Sequence, residues 1–167
     1  MSDLYSELLV KKEQTAKDKL IKYGLYAIIA ILAIGGVLLN PLLIFIGLLV
    51  GIGAYFILPS TDVEFEYLFV SGEIDVDRVL AKTKRKKAGS FSVRECELIA
   101  PLHSHRLDYY NANSKIKVVD YSSGNDEHKR YAAITRMNNE TCKVIFEPDE
   151  AMIKTIHQYA PSKVFFE

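Results

Sequence analysis

The residues of this chain best suited to chemistry are a run of cations, Lys82, Lys84, Arg85, Lys86 and Lys87, and a pair of imidazoles two positions apart, His103 and His105. A polybasic run held close to an anionic bilayer gains about 1 kcal/mol per cation, falling off within a Debye length. The five cations are therefore a candidate lipid- or partner-binding site. The competing reading is a solvated face paired with acids, because residues 60 to 77 hold six acids and no base, while residues 78 to 94 hold seven bases and no acid. On a strand, His103 and His105 would point to one side, where neutral imidazoles can bind a transition metal. The further ligands would have to come from Cys96, Asp108, His128 or His157, which no spacing rule selects. No metal or other cofactor is therefore expected. Cys96 and Cys142 match no Cys-x-x-Cys spacing and read as buried free thiols. The sequence has no phosphate loop, Gly-x-Ser-x-Gly or His-Glu-x-x-His, so hydrolase and nucleotide chemistry lack their usual supports.

The largest organising feature is apolar. Of the 167 residues, the stretch from Tyr23 to Leu58 carries no charge. Thirty-six uncharged residues exceed one span of about 20, and Asn40-Pro41 near the midpoint breaks the helical pattern. Residues 23–58 thus read as two transmembrane helices, 23–39 and 42–58, in a hairpin. Gly35 and Gly47 fall at matched depth, where small residues let the helices approach, and Leu32 is placed toward lipid. Gly47 and Gly51 form a Gly-x-x-x-Gly pair able to serve a homo-oligomer. Lys11, Lys12, Lys17, Lys19 and Lys22 precede the first helix and the turn has no base, so both termini are expected to be cytoplasmic in a multi-pass cell-membrane protein.

Residues 1–22 place Leu4, Leu8, Leu9, Ala16 and Leu20 at near-helical spacing, the pattern of an amphipathic N-terminal helix. Residues 60–167 remain for one soluble domain. There Val63, Phe65, Tyr67 and Phe69 alternate with Glu64 and Glu66, a half-buried strand, and Ser71-Gly72 offers a turn. Strand-like runs follow at residues 95–100, 106–110, 115–121, 131–137 and 142–146. Ser122-Ser123-Gly124 and Asn138-Asn139 read as hairpin turns. Residues 76–88 suit helix or strand, with strand preferred. Pro148, Asp149 and Glu150 open a helix whose apolar face is Met152, Ile153, Ile156 and Tyr159 or Ala160. Six or seven antiparallel strands and a closing helix make an antiparallel PH-like barrel with a C-terminal helix. A two-layer α+β sandwich is the alternative.

The segments SGEIDVDRVLAKTKRKK, APLHSHRLDYYN, VVDYSSG and FEPDEAMIKTIHQYAP resemble an uncharacterised family of small two-span membrane proteins from anaerobic Gram-positive bacteria. The chain's ending is similar to membrane-tethered bacterial pleckstrin-homology-like domains. The resemblance implies no activity. Zero net charge provides no global field for nucleic acid. The function expected is a membrane-tethered cytoplasmic binding module, an adaptor or accessory subunit that contacts a protein partner or anionic lipid head groups. The rival is a membrane-bound enzyme, metal-dependent through His103 and His105.

Overall fold

Tyr5–Lys11 is a strand where an amphipathic helix over residues 1–22 was expected. In the computed structural model, which describes residues 4–137 and 140–167, β1 (Tyr5–Lys11) pairs antiparallel with β2 (Val63–Val70) along its whole length. Leu4, Leu8 and Val10 pack against the core, so the working period is two; Leu9, which suggested a helix, is 53% exposed. The helix begins only at Ala16, where Thr15 and Asp18 form a reciprocal capping box. The sheets are therefore not confined to residues 60–167: the first strand precedes the apolar hairpin.

That hairpin is α1 (Ala16–Leu38) and α2 (Leu42–Ile57), joined through Leu39-Asn40-Pro41, with a short 3₁₀ turn at Leu58–Thr61 after it. Asn40 Oδ1 accepts from the Leu42 amide at 2.9 Å and so opens the second helix. α1, and the helical run Leu42–Thr61 formed by α2 with the 3₁₀ turn, are long and apolar enough to cross a membrane. The tightest contact lies one residue from the expected glycine: a Cβ on Gly36 would stand 2.3 Å from Ile44 Cγ1, against 3.2 Å from Gly35 to Leu43. Leu32 packs on Gly47 rather than facing away, its Cβ 3.2 Å from where a Gly47 Cβ would be.

Chain leaving the sheet at Lys12 returns at Val63, and the Lys12 amide donates to the Val63 carbonyl at 2.9 Å. The apolar hairpin is thus an insertion into the β1–β2 connection. From β2 the chain turns at Ser71-Gly72, both with positive φ (48° and 98°), into β3 (Glu73–Leu80). It then turns at residues 81–83 into β4 (Lys84–Ser92), so the ambiguous stretch 76–88 is strand, turn and strand. These elements form one antiparallel sheet in the order β1-β2-β3-β4.

The second sheet contains β5 (Leu98–Pro101), β6 (Lys117–Asp120), β7 (Tyr131–Met137) and β8 (Glu140–Phe146), in the order β5-β7-β8-β6. Ser122–Gly124 is not a hairpin turn. Both edges of β7 are taken by β5 and β8, so β6 pairs parallel with the free edge of β8. Asn138-Asn139 lies outside the described residues. Residues 106–110 are helical rather than extended: Ser104 caps a 3₁₀ turn at His105–Leu107 that runs into α3 (Asp108–Ala112). Leu107 and Tyr110, three residues apart, cover the outer face of the second sheet against Ala132 and Ile134.

The inner faces of both sheets share one core with α4 (Glu150–Tyr159). Asp149 caps α4 by accepting from the Met152 amide at 2.7 Å, and Met152, Ile153 and Ile156 are buried. Gly72 is required here, because a side chain would collide with the Tyr159 ring about 2.2 Å away. Among the described residues the sheets form no closed barrel; they are two packed layers with a helix, one of them mixed rather than wholly antiparallel.

Candidate functional site

Strand alternation divides the basic run. Arg85 and Lys87 lie opposite Val79 and Asp77, on the outer face of the first sheet. Arg85 pairs with Glu66 at 3.0 Å and Lys87 with Asp75 at 2.7 Å. Lys84 and Lys86 lie opposite Leu80 and Arg78 and project to the other side, while Lys82 occupies the turn. Among the described residues Lys82, Lys84 and Lys86 form no ion pair, and all three are exposed. The run is therefore two sets of cations, one spent on the sheet's own acids and one open to solvent.

The acids on that outer face are unusually enclosed for carboxylates. Glu64 and Glu66 are only 6% and 7% exposed, although they sit opposite the apolar row Phe65, Tyr67 and Phe69. Burial raises the Glu66 pKa, Arg85 opposes that shift, and a hydrogen bond with Glu7 adds to it. Glu7 moves the other way, held down first by the Tyr5 hydroxyl, which donates to it at 2.5 Å. The half-buried alternation expected of β2 is thus buried on both faces, since β1 and the long side chains of β4 shield its polar side.

The turn that begins the basic run meets the foot of the apolar hairpin. Ala81 donates its amide to the Asp62 carbonyl at 2.8 Å, directly after the turn that ends α2. Ala81 and Lys82 both take positive φ, 46° and 58°, without being glycine. Such backbone costs about 1–2 kcal/mol per residue and persists only where surroundings impose it. On the neighbouring strand Lys11 pairs with Asp62 at 3.5 Å, and Lys12 is the last residue before the chain departs for α1. Lys17, Lys19 and Lys22 occupy the first two turns of that helix. One end of the sheet therefore gathers cations from three separate stretches of sequence.

The other candidate groups do not assemble. His103 lies in the turn after β5 and His105 in the 3₁₀ turn, where its Nδ1 is 3.3 Å from Asp108; both are exposed, and no strand aligns them. Among the described residues no three His, Cys, Asp or Glu side chains are placed to hold a metal ion. Cys96 and Cys142 are both buried free thiols, and burial pushes the Cys96 thiol up to about 11. A thiol so far above neutral pH carries little nucleophilic thiolate.

A cluster that residue spacing could not reveal lies beside the link between β1 and α1. His128 Nδ1 sits 2.7 Å from Glu147 Oε1, whose other oxygen accepts from the Ser123 amide at 3.0 Å. The Glu13 amide donates to the Ser123 carbonyl at 2.8 Å and its carboxylate accepts from Asn125 at 2.9 Å. These bonds fasten the short link between β1 and α1 to the loop before β7. Their members come from three places in the chain, and only the fold brings them together.

Two sheets sharing a core with a C-terminal helix fit a PH-like domain, a class that suggests a binding module. The chain belongs to the family described as Bacterial PH-like domain (DUF6106), whose model matches residues 2–166. No curated protein and no solved structure matches the chain.

Proposed function

We propose that this protein is a membrane-tethered cytoplasmic binding module whose PH-like domain is held against the inner leaflet by Lys82, Lys84 and Lys86, which contact anionic lipid head groups. The observation carrying this reading is the hydrogen bond from Ala81 to Asp62, which sets the basic turn beside the foot of α2. Lys11, Lys12 and the lysines at the start of α1 lie at the same end. Each cation near an anionic surface contributes about 1 kcal/mol, so three together favour anionic over neutral lipid by about a hundredfold. Arg85 and Lys87, spent on Glu66 and Asp75, hold the sheet together and take no part.

The lipid contact is tested on the full chain reconstituted with mixed phosphatidylglycerol and phosphatidylcholine. The variant Lys82→Gln, Lys84→Gln, Lys86→Gln should co-purify with several-fold less phosphatidylglycerol than the parent, and raising salt from 0.1 to 1 M should reduce the parent's share likewise. An unchanged lipid ratio in the folded variant ends the lipid reading and leaves a protein partner as the reason for the cations. The sidedness follows from the lysines flanking α1 against a turn without a base. A cysteine at Asn40 should react with an impermeant maleimide on intact cells and one at Asn125 should not; the opposite pattern places the domain outside.

A further inference from the structure

Four strand edges end the two sheets, and three are guarded. The edge of β4 carries the cations Lys84 to Lys87, which repel an incoming strand. The edge of β5 is covered by the chain's own C-terminal segment, since Ile99 donates to the Lys163 carbonyl at 2.7 Å and Phe165 donates to Ile99 at 2.8 Å. β6 has only four residues, with Lys117 and Asp120 at its ends. β1 has seven and a largely apolar stretch at Leu8-Leu9-Val10.

The pairing register shows which groups β1 leaves free. Lys12 donates to Val63 and Leu4 accepts from Ser71, so the even-numbered residues bond to β2. The amides and carbonyls of Tyr5, Glu7, Leu9 and Lys11 point to the open edge, unpaired with another strand among the described residues. A groove of about 870 Å³ abuts that edge; four consecutive residues, Leu8 to Lys11, line it, so it touches backbone as well as side chains. Its apolar walls include Tyr131, Ile153 and Phe166.

We propose that this groove receives an extended segment of a partner protein, which adds as a strand to β1 and turns alternate apolar side chains toward Leu8, Val10 and Ile153. Main-chain hydrogen bonds supply affinity in such strand addition, and the pockets for alternate side chains supply selectivity. The charges lining the groove nearly balance, four carboxylates against three lysines. Glu147 is held by His128 and Ser123, Asp149 caps α4, Glu150 pairs with Lys154, and Lys11 with Asp62. Lys129 rests over the Tyr131 ring. The occupant is thus an uncharged, alternating segment rather than a basic or acidic one. A second copy of this chain does not fit. Two-fold pairing through β1 runs the strands antiparallel and sends the two hairpins, which leave at the Lys12 end of each strand, in opposite directions. That arrangement is incompatible with one bilayer, a step resting on the membrane tether proposed above.

The test uses the full chain in lipid nanodiscs panned against a random seven-residue peptide library displayed on phage. Enriched sequences should alternate apolar and polar residues, and a synthetic peptide of that sequence should slow amide exchange at Leu9 and Lys11, the groups now open. Leu9→Pro removes one open-edge donor without touching a bond to β2, and should weaken the peptide by about tenfold or more, while Leu9→Thr keeps the donor and the binding. Enrichment without alternation, protection elsewhere than β1, or undiminished binding to a folded Leu9→Pro variant overturns the proposal. Protection of Leu9 and Lys11 without peptide, growing with protein concentration, overturns it in favour of a second copy. Should Leu9→Pro not fold, the exchange pattern of the unaltered chain decides alone.

Discussion

Joining Lys12 directly to Val63 through Asn-Gly, in place of residues 13–62, is expected to yield a soluble and cooperatively folding domain, whereas a chain beginning at residue 60 is expected to aggregate. Lys12 and Val63 form a hydrogen-bonded antiparallel pair, which is the closing pair a two-residue turn requires. Ser71-Gly72 already makes such a turn at the far end of β2, with both residues at positive φ. The replacement loses the bond from Ala81 to Asp62 and the two bonds of Glu13, all at the periphery. The truncated chain loses the whole of β1. Leu4, Leu8 and Val10 leave the core, and each buried aliphatic side chain contributes about 1.5–3 kcal/mol, so the loss is roughly 3–6 kcal/mol after allowance for their partial exposure. A domain of this size has only about 5–15 kcal/mol in total. The bared edge of β2 would also present its backbone beside Phe65, Tyr67 and Phe69 to other chains. Circular dichroism melts and gel filtration of the two proteins check this. A truncated chain that melts within a few degrees of the joined one would show β1 to be dispensable.

Gly36→Leu should be the most damaging single change in the apolar hairpin. A Cβ at this position would meet Ile44 Cγ1 at 2.3 Å and the Ile44 backbone nitrogen at 3.0 Å. The side chain could rotate away, but the backbone cannot, so α1 and α2 must separate just before the Asn40-Pro41 turn. Overpacking costs about 1–3 kcal/mol where neighbours can shift and more where backbone blocks them, which corresponds to a fall of roughly ten- to a hundredfold in the packed fraction. Gly51→Leu is the comparison, because nothing lies within 4 Å of its Cβ position. Folded yield from solubilised membranes, read by fluorescence-detected gel filtration of a tagged chain, should drop for the first and hold within about twofold for the second. Equal yields would mean that the two helices do not approach at Gly36.

Periodicity carried the local elements well where apolar residues kept to one face. Val63 to Phe69 alternated visibly, and Met152, Ile153 and Ile156 marked a single helix face, so β2 and α4 were legible. It failed where long-range contacts set the burial. In residues 106–110 an alternating look concealed Leu107 and Tyr110, whose three-residue spacing meets the outer face of the second sheet. The capping box at Thr15 and Asp18 is a local sign of where α1 starts, and it argues against one helix over residues 1–22. The basic run was legible as a run. Its division into paired Arg85 and Lys87 and open Lys82, Lys84 and Lys86 was not, because that depends on which acids the neighbouring strands place across from each residue.

By itself the sequence determined two apolar segments broken at Asn40-Pro41, a β-rich domain with a closing C-terminal helix, and the lack of a local catalytic signature. These depend on hydropathy, chain-breaking residues and short-range periodicity, all of which act between residues close in the chain. Only the tertiary structure decided that β1 belongs to the first sheet, that the hairpin is inserted between β1 and β2, and that β6 runs parallel to β8. Each is a pairing of distant backbone segments. A strand's hydrogen bonds carry no mark in its own sequence of which partner will accept them, and the choice falls to whichever edge remains open once the shared core has packed.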